Sequence, residues 1–345
     1  MKLALVDWLA CPACNDAPLR VESRLVEARP IWRGSVAPET PGFNAKKGTL
    51  DEVIDGDLRC PGCGAVWPIE DGIPQLVAGA ASVVHSAHVA SVFDAKAPEW
   101  EEAFLDFAAP LVPGDFVGRR ALDLGCGFGR GTWFAAKYGA EVVGVDVDPE
   151  IARVARDNCA EFPHVHIVVA DGHRLPFRGA MFDIAWAFGV LHHVDQPWEL
   201  FREISRTVRS GGRTSLWTYG PRQGSSAALS AMLRATTRDM PSRELLNVSR
   251  MLATLIRGVS HTPYRWLNQV PVIGSVVSHL PMHDHHRWPY DIVVADIFDR
   301  LRIPVTQTFT AEEIEARYVD EGYLDVHTSR RIRNNESFRA TGIRR

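Results

Sequence analysis

The 345-residue chain has little net charge, few cysteines and no long hydrophobic run, and each lack removes a class of protein. Its 38 Lys and Arg against 42 Asp and Glu leave a formal charge of −4, which argues against wholesale nucleic-acid binding. No apolar run reaches the roughly 18 residues of a membrane span. The longest late run, Val270–Leu280, is broken by Pro271, Gly274 and Ser278. Met1–Ala10 lacks the basic start and longer apolar stretch of a signal peptide. The expectation is a soluble, cytoplasmic protein with no membrane partner, and a homodimer is admissible. Internal repeats and low-complexity tracts are absent. Only six cysteines occur, four of them in two close pairs, and such pairs in a cytoplasmic chain favour metal over disulfides.

What is present is globular. Hydrophobic residues make up 46% and charged residues 23%, enough for a sizeable core. The length fits one large domain and one small one. Residues 1–80 hold the cysteine pairs and much Gly and Pro. Residues 81–119 read as a helical lead-in, with Phe104, Phe107 and Leu111 at helical spacing before Pro113 and Gly114. Residues 120–220 alternate apolar strands with amphipathic helices, which indicates an α/β fold with a parallel, doubly wound sheet. Residues 221–308 interrupt that rhythm with helical or irregular sequence, and 309–345 resume it with a helix and two strands.

The central signal is Ala121-Leu122-Asp123-Leu124-Gly125-Cys126-Gly127-Phe128-Gly129, a buried strand ending in a glycine turn that opens a helix. Glycine lets the backbone approach a ligand and adopt conformations closed to other residues. A second strand, Val142–Asp146, ends in an acid about 20 residues further on, followed by Val147, which suits a carboxylate accepting from ribose hydroxyls. A third strand ends at Asp171-Gly172. A fourth runs through Phe188 and Gly189 to His192 and His193. These strand ends share the carboxyl edge, where open α/β sheets bind ligands.

A nicotinamide fingerprint carries a third glycine where this chain has Arg130. The combination resembles motif I of the class I S-adenosylmethionine-dependent methyltransferases. Val145-Asp146, Ala170-Asp171-Gly172, Phe182-Asp183, Leu191–Val194 and Val208–Arg213 resemble the family's later motifs, in order. The resemblance implies a Rossmann-like seven-stranded sheet. It also implies that Gly125, Cys126, Gly127 and Gly129 cradle the methionine part of S-adenosylmethionine, Asp146 with Val147 binds ribose, and Asp171 with Gly172 meets adenine, with Phe188 at the same edge. Asp123 either meets the cofactor's amino group or caps the turn. For Asp171 the alternative is a helix cap or turn acid.

Cys11-Pro12-Ala13-Cys14 and Cys60-Pro61-Gly62-Cys63 form two Cys-x-x-Cys knuckles, and four thiolates so spaced suit tetrahedral Zn²⁺. With Val66–Leu76 they resemble the small zinc-ribbon proteins that bind and activate several methyltransferases. The long stretch Arg20–Asp57 between the knuckles departs from that pattern. Structural zinc supporting the enzyme in cis is the expectation. Cys126 and Cys159 also read as small buried residues.

Methyl transfer from a sulfonium is an in-line displacement governed by alignment, and a base is required only for a hydroxyl or protonated amine acceptor. His192 and His193 are candidates for that base; the competing reading is structural. In the 221–308 insertion, His285, His286, Trp288 and Tyr290 are candidates to line an acceptor pocket. The leading expectation is a methyltransferase for a small acceptor, of secondary-metabolite or cell-envelope sugar type. The runner-up is an RNA or ribosome methyltransferase, suggested by the ribbon and by Arg330, Arg331, Arg333, Arg339, Arg344 and Arg345 near the C-terminus. Mild acidity and the lack of interleaved aromatic and basic residues weigh against nucleic acid. A cofactor-binding partner protein, or an enzyme using the sulfonium without an external acceptor, is the third.

Overall fold

Short aliphatic runs become the strands. In chain order they are β1 (Arg20–Pro30), β2 (Phe43–Asn44), β3 (Thr49–Arg59), β4 (Val66–Glu70), β5 (Ile73–Leu76), β6 (Arg120–Leu124), β7 (Glu141–Asp146), β8 (Val165–Ala170), β9 (Phe182–Phe188), β10 (Val208–Tyr219), β11 (Tyr323–Arg331) and β12 (Asn334–Arg344). The helices are α1 (Pro98–Ala108), α2 (Arg130–Lys137), α3 (Pro149–Asn158), α4 (Pro197–Thr207), α5 (Ser242–Ile256), α6 (Thr262–Leu267), α7 (Ile273–Val277), α8 (Tyr290–Arg302) and α9 (Ala311–Asp320). The structure, a computed structural model, describes every residue except 16, 32–36, 38, 78–93, 222–231, 238, 271, 279, 281, 303–306 and 332–333. The start of the expected lead-in, parts of the insertion and Arg333 lie outside the described residues.

The chain divides into two compact units. One comprises Met1–Val83, Ala95–Pro221 and Thr306–Arg345; the other comprises Val84–Asp94 and Arg222–Val305. The first unit holds a single sheet of order β1-β3-β4-β5-β8-β7-β6-β9-β10-β12-β11, with β2 paired to β3. Strands β5 to β10 along that order run parallel, and β12 is antiparallel to β10 and β11. The stretch from β8 to β11 supplies the seven strands expected from sequence. The sheet does not stop there. Gln75 and Leu76 of β5 pair with Val169 and Ala170 of β8, so the N-terminal module continues the sheet to twelve strands. This corrects the seven-strand expectation. The reason is an edge: β8 offers backbone groups that β5 satisfies.

Val142, Val143, Val145, Val168 and Val169 are buried completely, as expected of strands covered on both faces. Helix α3 begins where Asp148 caps it. The Asp148 carboxylate accepts from the backbone N–H of Glu150 (2.9 Å) and Ile151 (3.4 Å), and Pro149 occupies the first turn. The registers Leu124↔Val145 and Asp146↔Val169 align three strand ends along one carboxyl edge.

The stretch between the cysteine pairs forms a long antiparallel hairpin, β1 with β3. Its outer strand is mostly exposed and laced to β3 by ion pairs, Arg24 with Asp55 and Asp57, Arg59 with Glu22, and Arg29 with Glu52. Charges on an edge strand discourage pairing with other chains.

In the second unit α5 packs on α8. Leu245, Leu246 and Ala253 recur at helical spacing on one side of α5 and are buried, as are Val293, Ile297 and Phe298 of α8. A single π-helical stretch, Arg257–His261, joins α5 to α6.

Candidate cofactor and metal sites

The glycine turn after β6 is built by two different demands. Gly125 has φ +70°, and a Cβ there would lie 2.4 Å from Cγ2 of Val190. That contact needs glycine for packing, and it brings the exit of β9 against the turn. Gly127 has φ +53°, and among the described residues a Cβ there would meet no atom within 4 Å beyond its chain neighbours. Its missing side chain opens space, which is what a cradle for a ligand requires. Gly129, at φ +87°, caps the start of α2. Cys126 is buried, and burial pushes its thiol pKa well up, so it behaves as a small apolar residue.

Three carboxylates flank this turn in different states. Asp146 ends β7 and is buried; its Oδ2 accepts from the Gly127 N–H (3.0 Å) and its Oδ1 from the Asp148 N–H (3.1 Å). Val147, half-buried, follows directly. Asp123 accepts from the Thr132 hydroxyl at 2.7 Å, and burial pushes its pKa up to about 6. It therefore ties the strand to α2. Asp171 accepts from the backbone N–H of His173 (2.9 Å) and faces the His173 Nδ1 at 2.9 Å. That histidine holds the Asp171 carboxyl below the usual range, while Asp171 draws His173 upward. Gly172 is closely packed, since a Cβ would lie 2.9 Å from Leu200 Cδ1.

His192 is buried, and its Nδ1 lies 3.1 Å from the Thr218 hydroxyl and accepts from the Tyr219 N–H at 3.3 Å. With Nδ1 accepting from a backbone amide, the neutral ring carries its proton on Nε2. The imidazole thereby clamps the end of β10 to the end of β9. His193, half-buried, stands 4.1 Å away ring to ring. The chain re-enters this unit at the same place: the Gln307 N–H donates to the His192 carbonyl and its side chain to those of Val194 and Asp195.

Sequence reasoning missed an aromatic wall. Phe107 of α1 stacks on Trp217 of β10 at 4.6 Å and meets Phe188 of β9 at 5.6 Å. Trp217 in turn lies 5.2 Å from Tyr219 and 5.8 Å from His192. The Trp217 indole N–H is buried without a hydrogen-bond partner among the described residues. Farther along α1, Trp100 and Arg130 make a cation–π contact at 4.6 Å, which fastens this helix over the start of α2. The stripe Phe104, Phe107 was legible as a helix face. What that face touches was not, because Trp217 is 110 residues away.

The four cysteines converge. Their Sγ atoms all lie within 4.8 Å of one another, with Cys11–Cys63 and Cys14–Cys60 at 3.7 Å. Ligands about 2.3 Å from a tetrahedral centre are separated by about 3.8 Å, so the cluster fits a four-thiolate metal. The Cys63 N–H donates to the Cys60 sulfur, and such backbone bonding brings the Cys60 pKa down to about 7. The knuckle is anchored to the catalytic sheet, since the Ala10 N–H donates to the Pro176 carbonyl and Trp8 packs edge-on to Phe182.

Within the second unit, Trp288 and His285 are buried against each other, ring to ring at 4.0 Å. His286 packs on Tyr264 at 4.9 Å, and the Tyr290 hydroxyl donates to the Arg250 carbonyl at 2.8 Å. No helix among the described residues is long and apolar enough to cross a membrane.

Comparison with known proteins adds to this geometry. Residues 122–216 match the family described as Methyltransferase domain, and residues 2–72 the family described as Trm112p-like protein. Methyltransferase GfsG of Streptomyces halstedii is 35% identical over 104 residues, covering 29% of this chain and 37% of that protein. The 27-O-demethylrifamycin SV methyltransferase of Amycolatopsis mediterranei is 34% identical over 107 residues, covering 30% and 39%. These matches thus span under two fifths of each relative's own length. An uncharacterized methyltransferase of Mycobacterium leprae is 32% identical over 198 residues, covering 50% of this chain and 71% of that protein. With the sheet order, the glycine turn and this relative together, the chain belongs to the S-adenosylmethionine-dependent methyltransferases and carries a Trm112p-like module at its N-terminus.

Proposed function

We propose that the protein transfers the methyl group of S-adenosylmethionine to a small-molecule acceptor held against the Phe107–Phe188–Trp217 wall. The observation that carries this reading is the wall itself: two stacked aromatic faces and a buried indole N–H without a partner among the described residues, at the carboxyl edge. Small-ligand sites combine apolar lining with a few such polar groups. The relative acting on 27-O-demethylrifamycin SV supports a small acceptor. When bound, the cofactor supplies a methyl on a positive sulfur, and the rest is positioning.

In this reading Gly127 leaves room for the methionine part, Asp146 takes the ribose hydroxyls and Asp171 the adenine side. The wall orients the acceptor, and the Trp217 N–H donates to one of its polar atoms. His193 takes the acceptor's proton where the nucleophile is a hydroxyl. His192 holds the two strand ends together. The four cysteines hold structural Zn²⁺.

The test is transfer of labelled methyl to fractionated small metabolites and to RNA. Label in the small-molecule fraction, reduced about ten-fold or more in Trp217→Ala with cofactor affinity unchanged, is the expected result. Label confined to RNA, or a Trp217→Ala enzyme as active as the native one, overturns the reading.

A further inference from the structure

We infer that the second unit docks on an anionic membrane surface through the outer face of α5, α6 and α7. This goes beyond the proposed reaction and is independent of it. It also departs from the expectation of no membrane partner.

The inner face of α5 is already used, packed on α8. Its solvent side is polar over the first turns, with Arg243, Glu244, Asn247 and Arg250, and carries Met251 and Leu255 in its last turns. Met251, Leu255 and Val259 follow one another four residues apart, and Trp266, Val272 and Val276 extend the surface through α6 and α7. Trp266 is 76% exposed, Val272 81% and Val276 66%. Nine of the seventeen large hydrophobic side chains that face solvent among the described residues lie between 251 and 276. Single exposed hydrophobes are ordinary, but a concentration of this kind marks a surface for binding.

Charge selects the occupant. The whole chain is formally −4, yet residues 222–305 carry ten arginines and six carboxylates, a net of +4. No Asp or Glu occurs between Glu244 and Asp284, a stretch that contains Arg250, Arg257 and Arg265. Arg250 and Arg265 are exposed; Arg257 is turned inward, donating to the Trp288 carbonyl. Apolar residues with a tryptophan, flanked only by positive charge, match a leaflet of anionic lipid, where the apolar face enters the interface and the guanidinium groups meet headgroups. An apolar patch for a protein partner has no need to exclude carboxylates over nearly forty residues. Within the broken apolar run Val270–Leu280, too short and interrupted to span, Val270, Val272, Ile273 and Val276 are the residues that face solvent.

The experiment is co-sedimentation of the full-length protein with vesicles of phosphatidylglycerol and phosphatidylcholine, compared with pure phosphatidylcholine. Binding is expected to the anionic vesicles and to weaken with salt. The variant Trp266→Ser/Val272→Ser/Val276→Ser is expected to lose binding by about ten-fold or more. Arg250→Gln and Arg265→Gln are each expected to lower binding to anionic vesicles by about five-fold, leaving the neutral ones unaffected. Cofactor affinity and the melting profile of each variant establish that it is folded. The inference is overturned by native protein that stays in the supernatant, by binding that the surface variants do not alter, or by sedimentation velocity showing a dimer that the triple variant breaks without any vesicle binding.

Discussion

The carboxyl edge of the first unit and the outer face of the second treat their side chains in opposite ways. At the edge, most buried polar groups are matched, the Trp217 indole N–H excepted: Asp146 bonds two backbone amides, Asp123 a hydroxyl, His192 an amide and a hydroxyl. On the outer face of α5 to α7, large apolar groups stand in solvent. Buried polar groups without partners cost free energy, so the edge is fixed before any ligand arrives. Exposed apolar area costs only until something covers it. The difference teaches where to look for the two kinds of function, positioning in the first region and recognition of a surface in the second.

The sharpest way to break this contrast is to remove the support under the edge. Cys60→Ser, or chelation of bound metal, is expected to destabilise the first unit by on the order of 5 kcal/mol, since metal binding is coupled to folding. Because β5 continues the catalytic sheet, cofactor binding should fall with it, read by calorimetry and thermal melting together. A metal-free protein with unaltered melting removes the metal site.

The two glycines separate packing from binding. Gly125→Ala places a methyl on Val190 and is expected to cost about 3 kcal/mol of stability, partly recovered by Val190→Ala. Gly127→Ala meets no protein atom, so its stability loss should stay near the roughly 1 kcal/mol of a left-handed residue, while cofactor affinity falls further. Equal losses of stability in the two variants refute the division.

The buried acid tests how far the edge is strained in the absence of ligand. The Asp123 pKa, raised to about 6 from 3.8, means that the folded chain holds this proton more tightly than the unfolded one. Below about pH 4 both states are protonated and no penalty exists; above about pH 6 both are ionised and the folded state bears the full cost. Stability therefore falls by about 3 kcal/mol as pH rises through that window. Asp123→Asn lacks the slope, so urea midpoints should shift in the variant's favour between pH 4 and pH 7. Parallel pH profiles would count against a buried, perturbed acid. A smaller effect is expected at Asp146. Replacing it by alanine should weaken S-adenosylhomocysteine binding by about 1.5–3 kcal/mol, and unchanged affinity ends the ribose assignment.

Much of the first unit was legible. The order of strand-end motifs is local sequence, and each strand carries its own turn at the carboxyl edge, so Gly125, Asp146, Asp171 and the His192-His193 pair could be placed at that edge from sequence. The knuckles were legible for the same reason, since Cys-x-x-Cys fixes two ligands on one turn. The excursion between them was visible as a departure but not as the β1–β3 hairpin, whose charges cross from strand to strand only after pairing.

Sequence by itself determined the fold class, the order of strand ends along the carboxyl edge and the four-cysteine cluster, because periodicity and short motifs are written over a few neighbouring residues. Only the tertiary structure decided that β5 joins β8 into one sheet, that Gly125 is held by Val190 while Gly127 stays open, and that Phe107 meets Trp217. It alone turned the outer stripe of α5 toward solvent. Each of these is a contact, or the lack of one, between residues far apart in the chain, and helical or strand period gives the faces of an element without saying what will cover them.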